Sequence, residues 1–187
     1  MRVLVKVVVY LLLSYRLFAE EPAGIVLYFQ DEETTYLLLA DEVETSRGWS
    51  AFGGGGDTGE KIEETAARET EEETRGYFQQ EWLLQKLENQ KPVRSRGYNM
   101  FFVEVPFVPA IRVQQNPLKA ENGNAYRERV HFAWVPVSDL ENALKADNRK
   151  IKPEFLPSSS PTKSYWEIWV ANMRDAYEQE ACPWQKN

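Results

Sequence analysis

The 187-residue chain is 43% hydrophobic and 13% aromatic, which excludes a disordered chain and suffices for one domain around one sizeable core. Its formal net charge of −7 argues against a general binder of nucleic-acid backbones, but not against a nucleotide held through a divalent metal ion. A single cysteine, Cys182, excludes an intrachain disulfide and a cysteine metal cluster; a single histidine, His131, argues against a zinc site rich in histidine and leaves a carboxylate as the expected base.

In residues 1–19, Arg2 and Lys6 precede an apolar run at 7–13, and Ala19 stands before Glu20 and Glu21. That is the outline of a secretory signal, which would make the protein periplasmic or secreted. Arg16 and Leu17 depart from the outline, and the β-branched run 3–10 also reads as an extra strand, which would leave the protein cytoplasmic. The run is too short for a transmembrane helix.

A single domain is expected over residues 22–178, with a tail at 179–187. Residues 24–29 and 36–40 read as two apolar strands, joined by polar residues into a hairpin. Residues 41–50 read as a loop or short strand. The four glycines 53–56 lose too much backbone entropy for a strand interior and suit a loop that approaches a ligand or another segment. A helix is predicted from about residues 58–60, with Ile62, Ala66 and Thr70 as its packing face and Gly76 as its left-handed stop. Residues 77–88 suit a strand or a short helix, 91–96 a basic loop, and 99–105 and 130–135 two more strands. Between those two strands, the prolines of 106–124 mark a long excursion of the kind that often carries function. Ser138 is expected to N-cap a short helix. A last helix is predicted to open near Ser160 and Pro161; its stripe of Trp166, Trp169, Met173 and Tyr177 reads as core, with a base-stacking platform as the alternative.

The chemistry concentrates in residues 54–76, GGGDTGEKIEETAARETEEETRG. On a helix, Glu69, Glu72 and Glu73 share one face, repel one another and oppose the macrodipole. A bound cation would resolve that conflict. A phosphate-cradling P-loop is a poor fit, because Glu60 stands where its lysine belongs. A merely solvated acidic face leaves the glycines unexplained.

Gly54, five residues, Glu60, seven residues, Arg68-Glu69-Thr70, one residue, Glu72-Glu73 resembles the Nudix box. The likeness extends loosely over residues 22–178 and implies an α/β/α sandwich with a mixed sheet. It implies a hydrolase that cleaves a diphosphate linkage in a nucleoside-diphosphate-type substrate, with an inactive nucleotide-binding or sensor module as the alternative. Magnesium or manganese would be held by Glu69, Glu72, Glu73 and the carbonyl of Gly53, since oxygen-only ligands favour those ions. Arg68 would pair with a box glutamate, and Glu60 would brace the loop. Glu69 and Glu73 carry the metal-assisted chemistry in this reading, with Glu128 as general base, Glu121 as second choice and His131 as a further alternative. Gly54, Gly55 and Arg47 are expected to meet substrate; Trp49, Arg94 and Arg96 are further candidates for phosphate or base contacts. The family glycine position is occupied by Arg75, with Gly76 one residue late, which predicts an extra residue at the helix exit. Substrate identity and oligomeric state are left open.

Overall fold

The two apolar runs after residue 22 pair as their pattern requires. In the computed structural model, which describes residues 20–42 and 45–186, β1 (Ala23–Gln30) and β2 (Thr35–Glu42) form an antiparallel hairpin. Asp31 closes its turn by accepting from the N–H groups of Glu33 and Thr34 at 3.1 and 2.7 Å. The segment 1–19, read as a signal or as an extra strand, lies outside the described residues.

Four further strands complete the sheet: β3 (Phe52–Gly54), β4 (Val93–Ser95), β5 (Tyr98–Glu104) and β6 (Arg129–Pro136). The order is β4-β5-β1-β2-β6, with β3 paired to β1. β5 runs parallel to β1 and the remaining pairs are antiparallel, so the sheet is mixed. Successive side chains of β1 point to opposite faces. Ile25 and Leu27 join Leu38, Phe101, Val103 and Phe132 on one side, under α1 (Ile62–Glu73) and α2 (Gln80–Leu87). Val26 and Tyr28 join Leu37, Leu39, Met100 and Phe102 on the other, under α4 (Val137–Lys145) and α5 (Glu167–Glu178). The expected α/β/α sandwich is therefore present. A five-residue α3 (Ala110–Gln114) sits within the proline-rich excursion. No helix among the described residues is long and apolar enough to cross a membrane.

The C-terminal segment is packed. Trp184 meets Tyr28 and Phe102 edge-on at centroid distances of 5.5 and 5.4 Å, and the buried, free Cys182 has its thiol pushed up to about 12 by burial.

Several boundaries differ from the sequence reading. Val93–Ser95, read as part of a basic loop, is an edge strand completed by the hairpin turn before Tyr98. Helix α1 begins at Ile62, after a turn that Glu60 occupies. Ser138 lies inside α4, whose N-cap is Pro136. The last helix opens at Glu167, not near Ser160, because Ser160 Oγ donates to the buried Asp41 at 2.9 Å and residues 164–166 are stitched to Trp49.

Gly53 and Gly54 lie within a strand, where glycine entropy argued against one. Close approach is the reason. At Gly53, with φ +150°, an added Cβ would fall 2.0 Å from the Tyr98 hydroxyl and 2.6 Å from the Ala23 carbonyl oxygen. Gly53→Ala is expected to destabilise the fold by roughly 3 kcal/mol, from overpacking and backbone strain together. Denaturant unfolding checks this; a loss below about 1 kcal/mol contradicts the tight β1–β3 contact.

Candidate active site

The turn before α1 is held from the helix side by Arg68. Its Nε donates to Glu60 Oε1 at 2.9 Å, and its NH2 group to Glu60 Oε2 and the Gly55 carbonyl at 3.0 and 2.9 Å. Its NH1 group donates to Glu69 Oε1 and Glu72 Oε2 at 3.0 and 3.1 Å. Five N–H donors meet five acceptors, the full capacity of a guanidinium. Glu60 also accepts from the N–H of Asp57 and the hydroxyl of Thr65. Hydrogen bonds from Arg68 lead these in holding the Glu60 carboxyl down to about 2. Arg68 thus joins Glu60 and Gly55 of the turn to Glu69 and Glu72 of the helix.

The far end of α1 is held by a second arginine. Arg129, buried at the start of β6, donates to Glu73 Oε1 from Nε at 2.8 Å and lies 2.7 Å from it through NH2. Glu73 Oε2 accepts the Gly53 N–H at 2.8 Å. Burial pushes the Glu73 carboxyl up, against the opposing pull of Arg129. Gly53 thus reaches the box helix through its N–H. Glu69 presses on the neighbouring glycine: a Cβ at Gly54 would fall 2.5–2.7 Å from its carboxyl atoms. Burial raises Glu69 to about 7, opposed by Arg68 and reinforced by the charge of Glu73, and burial also raises Glu72.

The helix exit places both Arg75 and Gly76 in the left-handed region, at φ +59° and +72°. The Gly76 N–H bonds the Glu71 carbonyl at 2.7 Å and the Arg75 N–H bonds the Glu72 carbonyl at 3.0 Å, a Schellman closure with Arg75 at the left-handed position, φ +59°. Arg75 itself takes the conformation that glycine favours. Asn116 Nδ2 caps the Arg75 carbonyl at 2.7 Å, while the buried Nε of Arg75 has no hydrogen-bond partner among the described residues.

These groups converge on one cleft of about 540 Å³. Gly53, Gly54, Gly55, Glu69, Glu72 and Glu73 form one side, and Glu128, Arg129, Glu42 and Arg47 join them. Arg68 stands behind the wall, where it donates to Glu69 and Glu72. Trp49 is fully buried with Nε1 donating to Thr162, so it belongs to the core. His131 faces Asp41 at 3.1 Å, away from the cleft lining. Glu121 and Arg94 also lie outside the lining; Arg96 is part of it. Sequence reasoning missed Arg129 and Tyr98. The Tyr98 hydroxyl lodges against Gly24 and Gly53, and burial with nearby Glu73 and Glu69 raises its pKa. Only the strand-initial position of Arg129, directly after Glu128, was a signal for it.

The expected metal ligands Gly53, Glu69, Glu72 and Glu73 all line the cleft. Among the described residues no three acidic, histidine or cysteine side chains form a ready cluster. Arg129 and Gly53 occupy both oxygens of Glu73, whereas Glu69 Oε2 and Glu72 Oε1 accept no hydrogen bond among the described residues. Two partly desolvated carboxylates on one cleft wall, with oxygen donors alone, suit a hard divalent cation. Glu69 and Glu72 are the residues that fit it.

The family described as NUDIX domain matches residues 20–157. No curated protein matches the chain. Among solved structures, an Ap4A hydrolase from C. elegans is similar in two crystal structures. Its binary complex has 19% identity and a TM-score of 0.43, covering 86% of this chain and 99% of that one. The other has 19% identity and a TM-score of 0.42, with coverage of 87% and 99%. A mutT/nudix family protein from Listeria innocua has 17% identity and a TM-score of 0.40, with coverage of 86% and 95%.

Two stability outcomes follow from this geometry. Arg75→Gly relieves a left-handed non-glycine residue and removes an unpaired buried Nε, so it should raise stability by about 1 kcal/mol, or roughly 2–4 °C in Tm. A lowered Tm contradicts the strain. For Glu60, the folded pKa of about 2 lies below the ordinary 4.5. Its stabilisation is therefore complete above pH 4.5 and lost as pH falls toward about 2. Glu60→Gln should cost on the order of 1–2 kcal/mol at neutral pH and flatten that acid limb, read by urea unfolding across pH. An unchanged acid limb removes Glu60 as its source.

Proposed function

The chain belongs to the NUDIX domain family and is a Nudix hydrolase, and we propose that it uses magnesium or manganese to cleave a diphosphate linkage in a nucleoside-diphosphate-type substrate. The observation that carries this reading is the cleft, where carboxylates from α1 meet the glycine strand, Arg47, Arg96, Arg129 and Glu128. Glu69 and Glu72 would hold the cation. Once bound, it supplies positive charge against the phosphate oxygens and eases the ionisation of water.

The chain's own residues supply positioning. Arg68 fixes Glu69 and Glu72 by two hydrogen bonds from one nitrogen, so neither carboxylate has to be ordered when substrate arrives. Arg129 balances Glu73 and ties β6 to α1 and, through the Gly53 N–H, to β3. Arg47 and Arg96, paired with Glu42 and Asp175 at 3.2 Å, line the cleft and are assigned to the phosphate oxygens. Glu128 stands on the cleft at the end of a short 3₁₀ turn, Asn124–Arg127, and is assigned the removal of a proton from the attacking water. In-line displacement at phosphorus needs little beyond such alignment and charge balance.

A panel of ADP-ribose, nucleotide sugars, dinucleoside polyphosphates and nucleoside triphosphates, with products identified by mass, tests the reading. Turnover should require magnesium or manganese and stop with a chelator. Glu69→Gln should lower kcat by about 100-fold or more while the fold is retained. Metal-independent turnover, or binding without turnover across the whole panel, overturns the proposal.

A further inference from the structure

A second cavity, of about 700 Å³, opens beside the C-terminal half of α4 and shares no lining residue with the catalytic cleft. Lys150, Lys152 and Lys163 line it, over a floor that includes Ala143, Ile151 and Pro153. The charge here runs against that of the molecule. The chain carries a formal −7, yet residues 145–163 hold five basic side chains and two acidic ones. Of those two acids, Asp147 is paired with Arg174 at 3.1 Å, and Glu154 is exposed outside the lining. Asp139 is the one carboxylate of the lining; it is 4% exposed, and its Oδ2 accepts the Tyr165 hydroxyl at 2.8 Å. None of the three lysines forms an ion pair among the described residues, where Arg149 and Arg174 take the neighbouring acids.

Helix polarity does not account for the lysines. Cations do gather at helix C-termini. At α4 that end is already answered: the Leu144 carbonyl accepts from Arg174 at 2.9 Å and the Ala143 carbonyl from the Asn148 N–H at 3.0 Å. The backbone that carries the lysines is also fixed. Asn148 Oδ1 accepts the Lys150 N–H at 3.0 Å. The Ile151 N–H bonds the Lys163 carbonyl at 3.0 Å, and the Tyr165 N–H bonds the Arg149 carbonyl at 2.7 Å. Two segments remote in sequence are thus joined so that their ammonium groups surround one cavity. Like charges gathered in this way repel one another, and an anion between them reverses the sign of the interaction. Lysine is a point-charge donor well suited to phosphate, whose double charge calls for more than one cation. The cavity volume falls in the range of small-molecule sites, roughly 300–1,000 Å³, and its apolar floor leaves room for an organic body beside the phosphate.

We propose that this cavity is a second ligand site that takes a phosphate group, free or carried on a small organic molecule. Lys150 and Lys163 would hold the oxygens, with Lys152, whose ammonium lies 5.9 Å from the Phe155 ring centroid, at the rim. The site goes beyond the hydrolysis proposed above and does not depend on it.

The test uses the full chain and two probes, inorganic phosphate and ribose 5-phosphate, titrated by calorimetry with a chelator present so that no metal bridges them to Glu69 and Glu72. The double variant Lys150→Gln with Lys163→Gln should weaken binding by about 10-fold or more, and Lys150→Arg with Lys163→Arg should stay within about 3-fold of the native chain. A control pair of exposed lysines elsewhere, Lys86→Gln with Lys119→Gln, should bind as the native chain does. Melting temperature and hydrolytic turnover should be unchanged in all three. Tighter binding of ribose 5-phosphate assigns the site to a phosphorylated organic molecule, and equal binding assigns it to free phosphate; either outcome, lost with the Lys150 and Lys163 charges, upholds the site. No saturable binding of either probe, undiminished binding by the first double variant, or an equal loss in the control pair overturns it. A loss of binding accompanied by an equal loss of turnover places the probes in the catalytic cleft and overturns it as well.

Discussion

The site depends on one guanidinium. Arg68 spends all five N–H groups on Glu60, Gly55, Glu69 and Glu72, and so joins the glycine turn to the helix that follows it. A lysine could not substitute, because a point charge lacks the planar fork that reaches two directions at once. The turn carries Glu60 into the protein, the helix carries Glu69 and Glu72 toward the cleft, and the Arg68 bridge, with the Thr65 hydroxyl donating to Glu60, fixes their relative placement.

That bridge also explains how α1 tolerates its own composition. Acidic side chains fill its last turn and no basic residue balances them there. Compensation arrives from elsewhere: Arg68 from one helical turn earlier, Arg129 from β6 and the Gly53 N–H from β3. The compensation is incomplete at Glu69 and Glu72, each of which has one oxygen accepting no hydrogen bond among the described residues and a carboxyl raised by burial. A cation there would complete the charge balance, whereas Glu73 is paired with Arg129.

Arg75 illustrates how local geometry can outlast a change of residue. The Schellman hydrogen bonds and the cap from Asn116 hold the exit in its left-handed turn although glycine has moved one position on. Gly76 too is left-handed, at φ +72°, so the exit turn is set by its backbone bonds rather than by one glycine alone. The same distinction accounts for β3: glycine in isolation disfavours a strand, yet at Gly53 no larger residue would let Tyr98 and β1 come so near.

By itself the sequence determined the box helix and its carboxylate face, because residue types at fixed short spacings on a helix have one spatial outcome. Apolar runs likewise determined the main strands, while the layered α/β class followed from the resemblance of the box. Tertiary structure alone decided that Glu73 meets Arg129, 56 residues away, and that Ser160 bonds Asp41 rather than capping a helix. It also decided that Trp169 is buried while Trp166 stays half-buried at the edge of the same core. These contacts follow from strand register and from the stitching of residues 164–166 to Trp49, which bring together distant segments. Local periodicity says which face a side chain occupies; only the closed sheet says what stands opposite it.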